Sequence, residues 1–374
     1  MAPIEIKVLS SLAEIPAEEW NRLAGENPAI SHEYFFALEQ TGCASPRTGW
    51  QVCFLAAFEG KTIKGALPLY FKSHSYGEFV FDQAWAEAYE THGLRYYPKL
   101  VSSVPFTPVS GSRILADTKE LRALLVDTAI EFAKKSGASS FHCLFSTVEQ
   151  AKEMEAQGLL LRQGVQFHWR NNSYRNFAEF LETMRHDKRK KILAERRKLR
   201  EAGISYTRIK GTELTECDWE FFYSCYLHTH HLYQSPIPLS LEFFLRLGRT
   251  MPEKTLLIFA EREGKKIAAG LDLFDSENAY GRSWGALEYH PGLHFEICYY
   301  QSIEFCIENK IATFEGGAQG EHKLARGFLP TATYSAHWLA HPEFSRAVEE
   351  FLRRETGGVE QYIDELNESS PFKR

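Results

Sequence analysis

The chain has 374 residues, a formal net charge of −6, 44% hydrophobic residues and an aromatic share of 14%. That length exceeds what one hydrophobic core organises, so two domains are expected, 1–165 and 166–374; so mild an acidity argues for neither a nucleic-acid nor a membrane protein overall. Seven dispersed cysteines with no Cys-x-x-Cys speak against a disulfide framework or zinc finger, no apolar run approaches the roughly 20 residues of a membrane span, and Met1–Ser10 lacks a signal peptide's apolar core, so a cytoplasmic compartment is expected.

In chain order, the first informative segment is Phe54–Phe71, FLAAFEGKTIKGALPLYF, which returns as Ile258–Phe274, IFAEREGKKIAAGLDLF. Glu59-Gly60-Lys61 aligns with Glu263-Gly264-Lys265 and Ile63 with Ile267, and in the same register Tyr76-Gly77 meets Tyr280-Gly281. Each copy reads as strand, tight glycine turn and strand, a hairpin. Behind the first copy, Lys72–Tyr89 (KSHSYGEFVFDQAWAEAY) mixes aromatic and polar residues. Its His74, Tyr76, Asp82 and Trp85 fit either a half-buried strand region or the wall of a sugar or peptide cleft. An insertion rich in aromatics and prolines follows over Trp85–Arg113. Leu121–Lys134 then has helical spacing through Leu121, Leu124, Leu125, Ala129 and Phe132, Gly137 ends it, and Phe141–Phe145 reads as a strand.

Gln166–Asn171 is a β-like run that includes His168 and Arg170. A cationic helix is expected over 185–201: within Arg185–Arg200, Lys188, Arg189, Lys190, Lys191, Arg196, Arg197, Lys198 and Arg200 stand against only Asp187 and Glu195. Ile192, Leu193 and Leu199 give it a narrow apolar stripe. A solvated face is the ordinary reading of such a helix, yet the density also suits the phosphates of a nucleotide-linked precursor, a coenzyme or tRNA. After the second hairpin come a helix, Phe295–Asn309, and a strand, Ile311–Glu315. Meander, helix and strand, twice over, point to two similar α/β units.

The densest chemistry lies in His290–Lys323. His294-Phe295-Glu296 sits where a strand meets a helix, and the unpaired N–H groups there suit an anion. Beyond the next strand runs Glu315-Gly316-Gly317-Ala318-Gln319-Gly320-Glu321-His322-Lys323. The glycines permit close backbone approach to a ligand, and the polar residues supply a base, an acid and a partner for phosphate or carboxylate. Glu296 and Glu321 are candidate bases, with His322 next; His294, Gln319 and Lys323 are candidate substrate contacts. His228, His230 and His231 lack a His-Glu-x-x-His pattern and read as a surface cluster, so no metal is expected.

The motifs Ser31–Glu39, Lys72–Tyr89, YYPKL (Tyr96–Leu100), PFTPVSG (Pro105–Gly111), GVQFHWRN (Gly164–Asn171), YGRSWG (Tyr280–Gly285), LHFEICYY (Leu293–Tyr300), GAQGEHKLARGFLP (Gly317–Pro330) and YSAHW (Tyr334–Trp338) resemble the FemAB-like N-acyltransferases of the GNAT superfamily, proteins of peptidoglycan biosynthesis or recognition. The resemblance implies an α/β (α+β) fold of two tandem GNAT-like domains, each a mixed, mainly antiparallel sheet flanked by helices. It implies transfer of an acyl or aminoacyl group to a small-molecule or peptide amine, with acyl-CoA or aminoacyl-tRNA as donor. Arg282, Trp284 and Arg326 join the candidate substrate contacts, Arg326 and Lys323 as neutralisers of phosphate or carboxylate charge. The resemblance equally allows a non-catalytic protein binding a cell-wall peptide or nucleotide-linked precursor, or an aminoacyl-tRNA-dependent ligase that holds tRNA on Arg185–Arg200. Two stretches depart from the pattern. LYQSPIPL (Leu232–Leu239) replaces a Trp-Gly pair, and HPGLHFE (His290–Glu296) has one glycine where GNAT enzymes carry a coenzyme A pyrophosphate loop.

Overall fold

The computed structural model describes residues 3–317 and 320–373. The chain divides into two compact units, Met1–Val165 with Ala332–Tyr362, and Gln166–Thr331 with Ile363–Arg374.

In the first unit, β1 (Ile4–Leu9), β2 (Trp50–Val52), β3 (Phe54–Glu59), β4 (Thr62–Leu67), β5 (Tyr70–Lys72), β6 (Lys99–Ser102), β7 (Leu115–Ala116) and β8 (Ser140–Ser146) make two small sheets. One is antiparallel in the order β1-β3-β4-β7; the other runs β2-β5-β6-β8 with β6 and β8 parallel. Around them lie α1 (Ala17–Ala24), α2 (His32–Gln40), α3 (Gln83–Thr91), α4 (Lys119–Ser136) and α5 (Val148–Ala156). The α4 helix starts at Thr118, whose side chain accepts from the Leu121 N–H, and stops at Gly137 in the left-handed region. Its buried Leu125, Val126, Ala129 and Ala133 join Leu55, Leu67 and Phe141 in one apolar core.

The second unit takes up the end of β9 (Leu160–Arg170), then α6 (Phe177–Thr183), α7 (His186–Glu201), β10 (Ile204–Lys210), α8 (Glu216–Leu232) and α9 (Leu241–Thr250). There follow the meander β11 (Thr255–Arg262), β12 (Lys265–Phe274) and β13 (Asn278–Ala286), and a helix in three parts: α10 (Leu293–Phe295), a π turn (Glu296–Tyr300) and α11 (Gln301–Glu308). Next come β14 (Thr313–Glu315), a 3-10 turn (Glu321–Arg326), β15 (Leu329–Leu339) and α12 (Pro342–Glu368). The sheet of this unit runs β10-β11-β12-β13-β14-β9, antiparallel throughout except for β13 beside β14. Tyr334–Leu339 of β15 pair with β8, and Val348 and Leu352 of α12 pack on Trp85, Tyr89 and Tyr96. That ladder and aromatic cluster draw Ala332–Tyr362 into the first unit.

The repeated hairpins both exist, but their turns are offset by one residue from the sequence match. In the first, Gly60 and Lys61 form the loop between Glu59 and Thr62, with positive φ only at Gly60. In the second, Glu263 and Gly264 form it between Arg262 and Lys265, and both have positive φ. These are the patterns of II′ and I′ turns, so the same Glu-Gly-Lys triplet closes each hairpin with a different residue at its tip.

Two glycines set how closely helices approach the second sheet. A Cβ on Gly285 would lie 1.9 Å from the Cys225 carbonyl oxygen in α8, and one on Gly270 would lie 2.6 Å from Ile297 in the π turn. Gly285→Ala is therefore expected to destabilise the chain by about 2 kcal/mol or more, as overpacking does. Gly357→Ala in α12, where nothing lies within 4 Å, should instead stabilise by about 0.5–1 kcal/mol through helix propensity. Urea denaturation of both variants reads the two signs.

Candidate active site

The α7 helix presents one inward face, formed by Ile192, Glu195, Arg196 and Leu199 at helical spacing. Ile192 and Leu199 are buried, and the two charged residues between them reach the next elements. Arg196 donates to both oxygens of Glu296 at 2.8–3.1 Å and to Glu304 at 2.7 Å. Gln301 adds a further bond to Glu296 at 2.8 Å. Burial raises the Glu296 pKa while Arg196 opposes the rise. Glu195 accepts from the Tyr300 hydroxyl at 2.6 Å and from Arg326 at 2.9 Å. Glu296, a candidate base by sequence, is thus tied into the framework of the π turn.

The π turn carries Tyr299, whose hydroxyl lies 3.0 Å from Nε2 of His322. The His294 ring stands 4.6 Å from Trp284 and 6.1 Å from His322, centroid to centroid. Arg326 stacks 3.4 Å from the Phe295 ring centroid and donates to the His322 carbonyl at 2.8 Å. Lys323 is buried and donates to the Gly317 carbonyl at 2.8 Å. Burial and the neighbouring His322, Lys323 and Arg326 push His294 down to about 4. Burial, Lys323 and Arg326 also lower His322, and burial brings Lys323 down to about 8. At neutral pH the two imidazoles are therefore unprotonated beside two cations. Glu321 is exposed.

In front of this cluster two parallel strands part. β14 pairs with β13 only from Asn278–Thr313 to Tyr280–Glu315. Just beyond, the β12–β13 ladder skips Arg282, leaving a bulge between Gly281 and Ser283. A bulge bends its strand and re-aims its side chains, and from Gly281 onward β13 has no partner in β14. Trp284 lies on this stretch. His168 and Arg170 lie on β9 across from Glu315 and Thr313. His168 is buried, 3.2 Å from Gln166, and burial, Arg170 and Lys323 bring it down to about 3. Arg170 donates to the Thr313 hydroxyl. Gln319 lies outside the described residues.

His74, Tyr76, Asp82 and Trp85 belong to the first unit. Tyr76 is exposed, and its N–H donates to Nδ1 of His74 at 3.2 Å. Asp82 is buried and accepts from Lys99 and, at 2.6 Å, from Tyr96. Lys99 also donates to Ser75 and Glu78, both at 2.8 Å. Trp85 packs edge-on to His337 at 5.0 Å, and His337 lies 2.7 Å from His142. Asp82 and Trp85 are therefore parts of a buried polar network and its aromatic cover. Sequence reasoning missed Glu195, Tyr299 and Tyr300 in the second unit; the signal for Glu195 was a lone acid on the apolar stripe of a cationic helix.

Several solved structures share this two-unit architecture. FemX aligns with a TM-score of 0.58 at 11% identity, covering 90% of this chain and 98% of its own. The C-terminal domain of a putative lysylphosphatidylglycerol synthetase from Agrobacterium fabrum aligns at 0.57 with 10% identity, over 90% of this chain and 96% of its own. L-PGS from Bacillus licheniformis aligns at 0.56 with 11% identity, over 93% and 99%. The fold is that of two GNAT-like domains, each a mixed, mainly antiparallel sheet flanked by helices. The chain belongs to the FemAB-like family, described as peptidoglycan biosynthesis/recognition, whose model matches residues 11–374. A search of curated protein sequences finds no significant match. Among the described residues no helix is long and apolar enough to cross a membrane.

Arg196→Met removes one partner of a buried ion pair and leaves the Glu296 carboxylate uncompensated. It should cost about 3–5 kcal/mol, and Glu296→Gln in the same background should recover much of that. Equilibrium unfolding of the single and double variants measures the coupling; independent, additive losses would contradict it.

Proposed function

We propose that the second unit transfers an acyl or aminoacyl group to an amine acceptor, consistent with a family of peptidoglycan biosynthesis and recognition. The observation that carries this reading is the parting of β13 from β14 beside an imidazole fixed by Tyr299. An ammonium must lose its proton before it attacks a carbonyl. His322, unprotonated at neutral pH, accepts that proton. The amine nitrogen then bonds to the carbonyl carbon, and backbone N–H groups of β13 beyond Gly281 stabilise the oxyanion. Collapse breaks the bond to the donor's sulfur or oxygen; the proton held by His322 passes to that leaving group, and the second proton on the attacking nitrogen is released to solvent as the neutral amide forms. Lys323 and Arg326 neutralise carboxylate or phosphate charge on the substrates.

An ester donor such as aminoacyl-tRNA fits better than acyl-CoA. The turn before α10 offers one glycine, Gly292, in place of a pyrophosphate loop. The helix α7 meanwhile exposes Lys190, Lys191, Arg197 and Lys198. If these cations hold tRNA, log Kd should change with log salt by about 0.7 for each phosphate neutralised. Lys190→Glu with Lys198→Glu should flatten that slope; an unchanged slope removes α7 from the donor site.

With aminoacyl-tRNA and acyl-CoA supplied in parallel, His322→Asn should lower kcat by roughly 10²–10⁴-fold. Because its surroundings hold His322 below its ordinary value of 6.5, kcat/KM should rise with pH through a point under 6.5 and level off at neutrality. Full turnover by His322→Asn, or its loss in Glu321→Gln alone, would reassign the base. Binding of an acceptor without turnover on either donor would favour a recognition protein.

A further inference from the structure

Within the second unit a pocket of about 770 Å³ lies among α6, α7, β10, the π turn and α11. That is within the range of about 300–1,000 Å³ typical of small-molecule sites. None of His294, Tyr299, His322, Lys323 or Arg326 lines it, so the transfer chemistry leaves it unassigned. Its apolar walls include Phe177, Leu181, Leu193, Ile204 and Ile307. Leu193 is 48% exposed on a helix whose other outward residues are mostly charged, an apolar side chain left in water at the pocket wall.

Which charge the pocket favours follows from pairing. Glu296 and Glu304 are both held by Arg196, and Glu308 accepts from Arg208 at 2.8 Å. Arg175 is paired with Glu179. Arg200 lines the pocket and has no ion-pair partner among the described residues. The Tyr206 hydroxyl, also at the pocket wall, is buried without a hydrogen-bond partner. The uncommitted groups are thus a guanidinium and a phenol, both able to donate. A cationic ligand would have to compete with Arg196 for Glu296 and Glu304, or with Arg208 for Glu308.

We propose that this pocket binds a small amphipathic anion: an aliphatic body on Phe177, Leu193, Ile204 and Ile307, and one carboxylate or phosphate on Arg200. Glu296 opens the π turn that also carries Tyr299, so the occupant rests on the element that orients His322.

Calorimetric titration of the full chain with decanoate, decyl phosphate, decanol and decyltrimethylammonium, each below its micellar concentration, tests this. One or both anions should bind saturably at one site, and their ranking tells carboxylate from phosphate. Decanol should bind about tenfold or more weakly for want of the ionic contact, a difference of about 1.4 kcal/mol or more. The cationic amphiphile should give no saturable heat. Arg200→Ala and Leu193→Asp both alter exposed side chains, so folding should survive, as a thermal melt checks. Each should weaken anion binding about tenfold. Absence of saturable binding by either anion, equal binding of the cation, or unchanged affinity in both variants overturns the proposal. The readout is binding alone, so it stands or falls separately from the transfer reaction.

Discussion

Arg196 holds Glu296 and Glu304 together while its neighbour Glu195 holds Tyr300 and Arg326. Two adjacent residues on one helix thereby fasten both polypeptide segments that build the candidate site, the π turn and the 3-10 turn. The fastening is strong because Glu296 is buried and its charge is largely desolvated. Removing one partner strands the other at a cost well above that of a surface ion pair. A basic helix that reads as a solvated face is, on one side, a structural clamp; its remaining cations are left for solvent or for phosphate.

The clamp acts on a helix that departs from regular geometry. A π turn places one extra residue in a helical turn and is frequent at functional sites. Here it lies close to the sheet because Gly270 leaves room for Ile297, while Gly285 makes room for α8. Close approach of helix to sheet on this side coincides with the bulge at Arg282 and the end of β13–β14 pairing. The consequence is a stretch of β13 beyond Tyr280 outside the ladder with β14, and its Trp284 stands against His294. That arrangement is the physical basis of the transfer reading, and family membership gives it context.

The first unit shows the opposite use of charge. Lys72 and Lys99 are fully buried, and Glu78 and Asp82 nearly so. Lys72 also sits 3.6 Å from the centre of the Trp50 ring. Burial brings Lys72 down to about 7 and pushes Glu78 up to about 7. For Asp82, burial would raise the value, but Lys99, His142 and Ser75 together outweigh it and hold the carboxyl at about 2. Such a network fixes the Ser73–Asp82 loop over β5 and β6. It also explains why the polar and aromatic mixture in this motif reads ambiguously: Asp82 and Trp85 are interior, whereas Tyr76 faces solvent.

Much of this was legible in the chain itself. Helical spacing and a terminal glycine located α4, the repeated Glu-Gly-Lys triplet located both hairpins, and the family motifs named the fold. These succeed because periodicity and turn chemistry are local, set by residues a few positions apart. The same locality explains what the repeat missed. A triplet cannot say which of its residues takes the left-handed position, because the strand register that decides it depends on the partner strand. The return of Ala332–Tyr362 to the first unit was likewise decided by a ladder with β8 nearly two hundred residues earlier. Sequence put His294, Glu296, His322, Lys323 and Arg326 in one candidate region. Only the tertiary structure divided them, giving Glu296 to Arg196 and His322 to Tyr299, because the partner that fixes a charge or a hydrogen bond is chosen by packing and not by proximity in the chain.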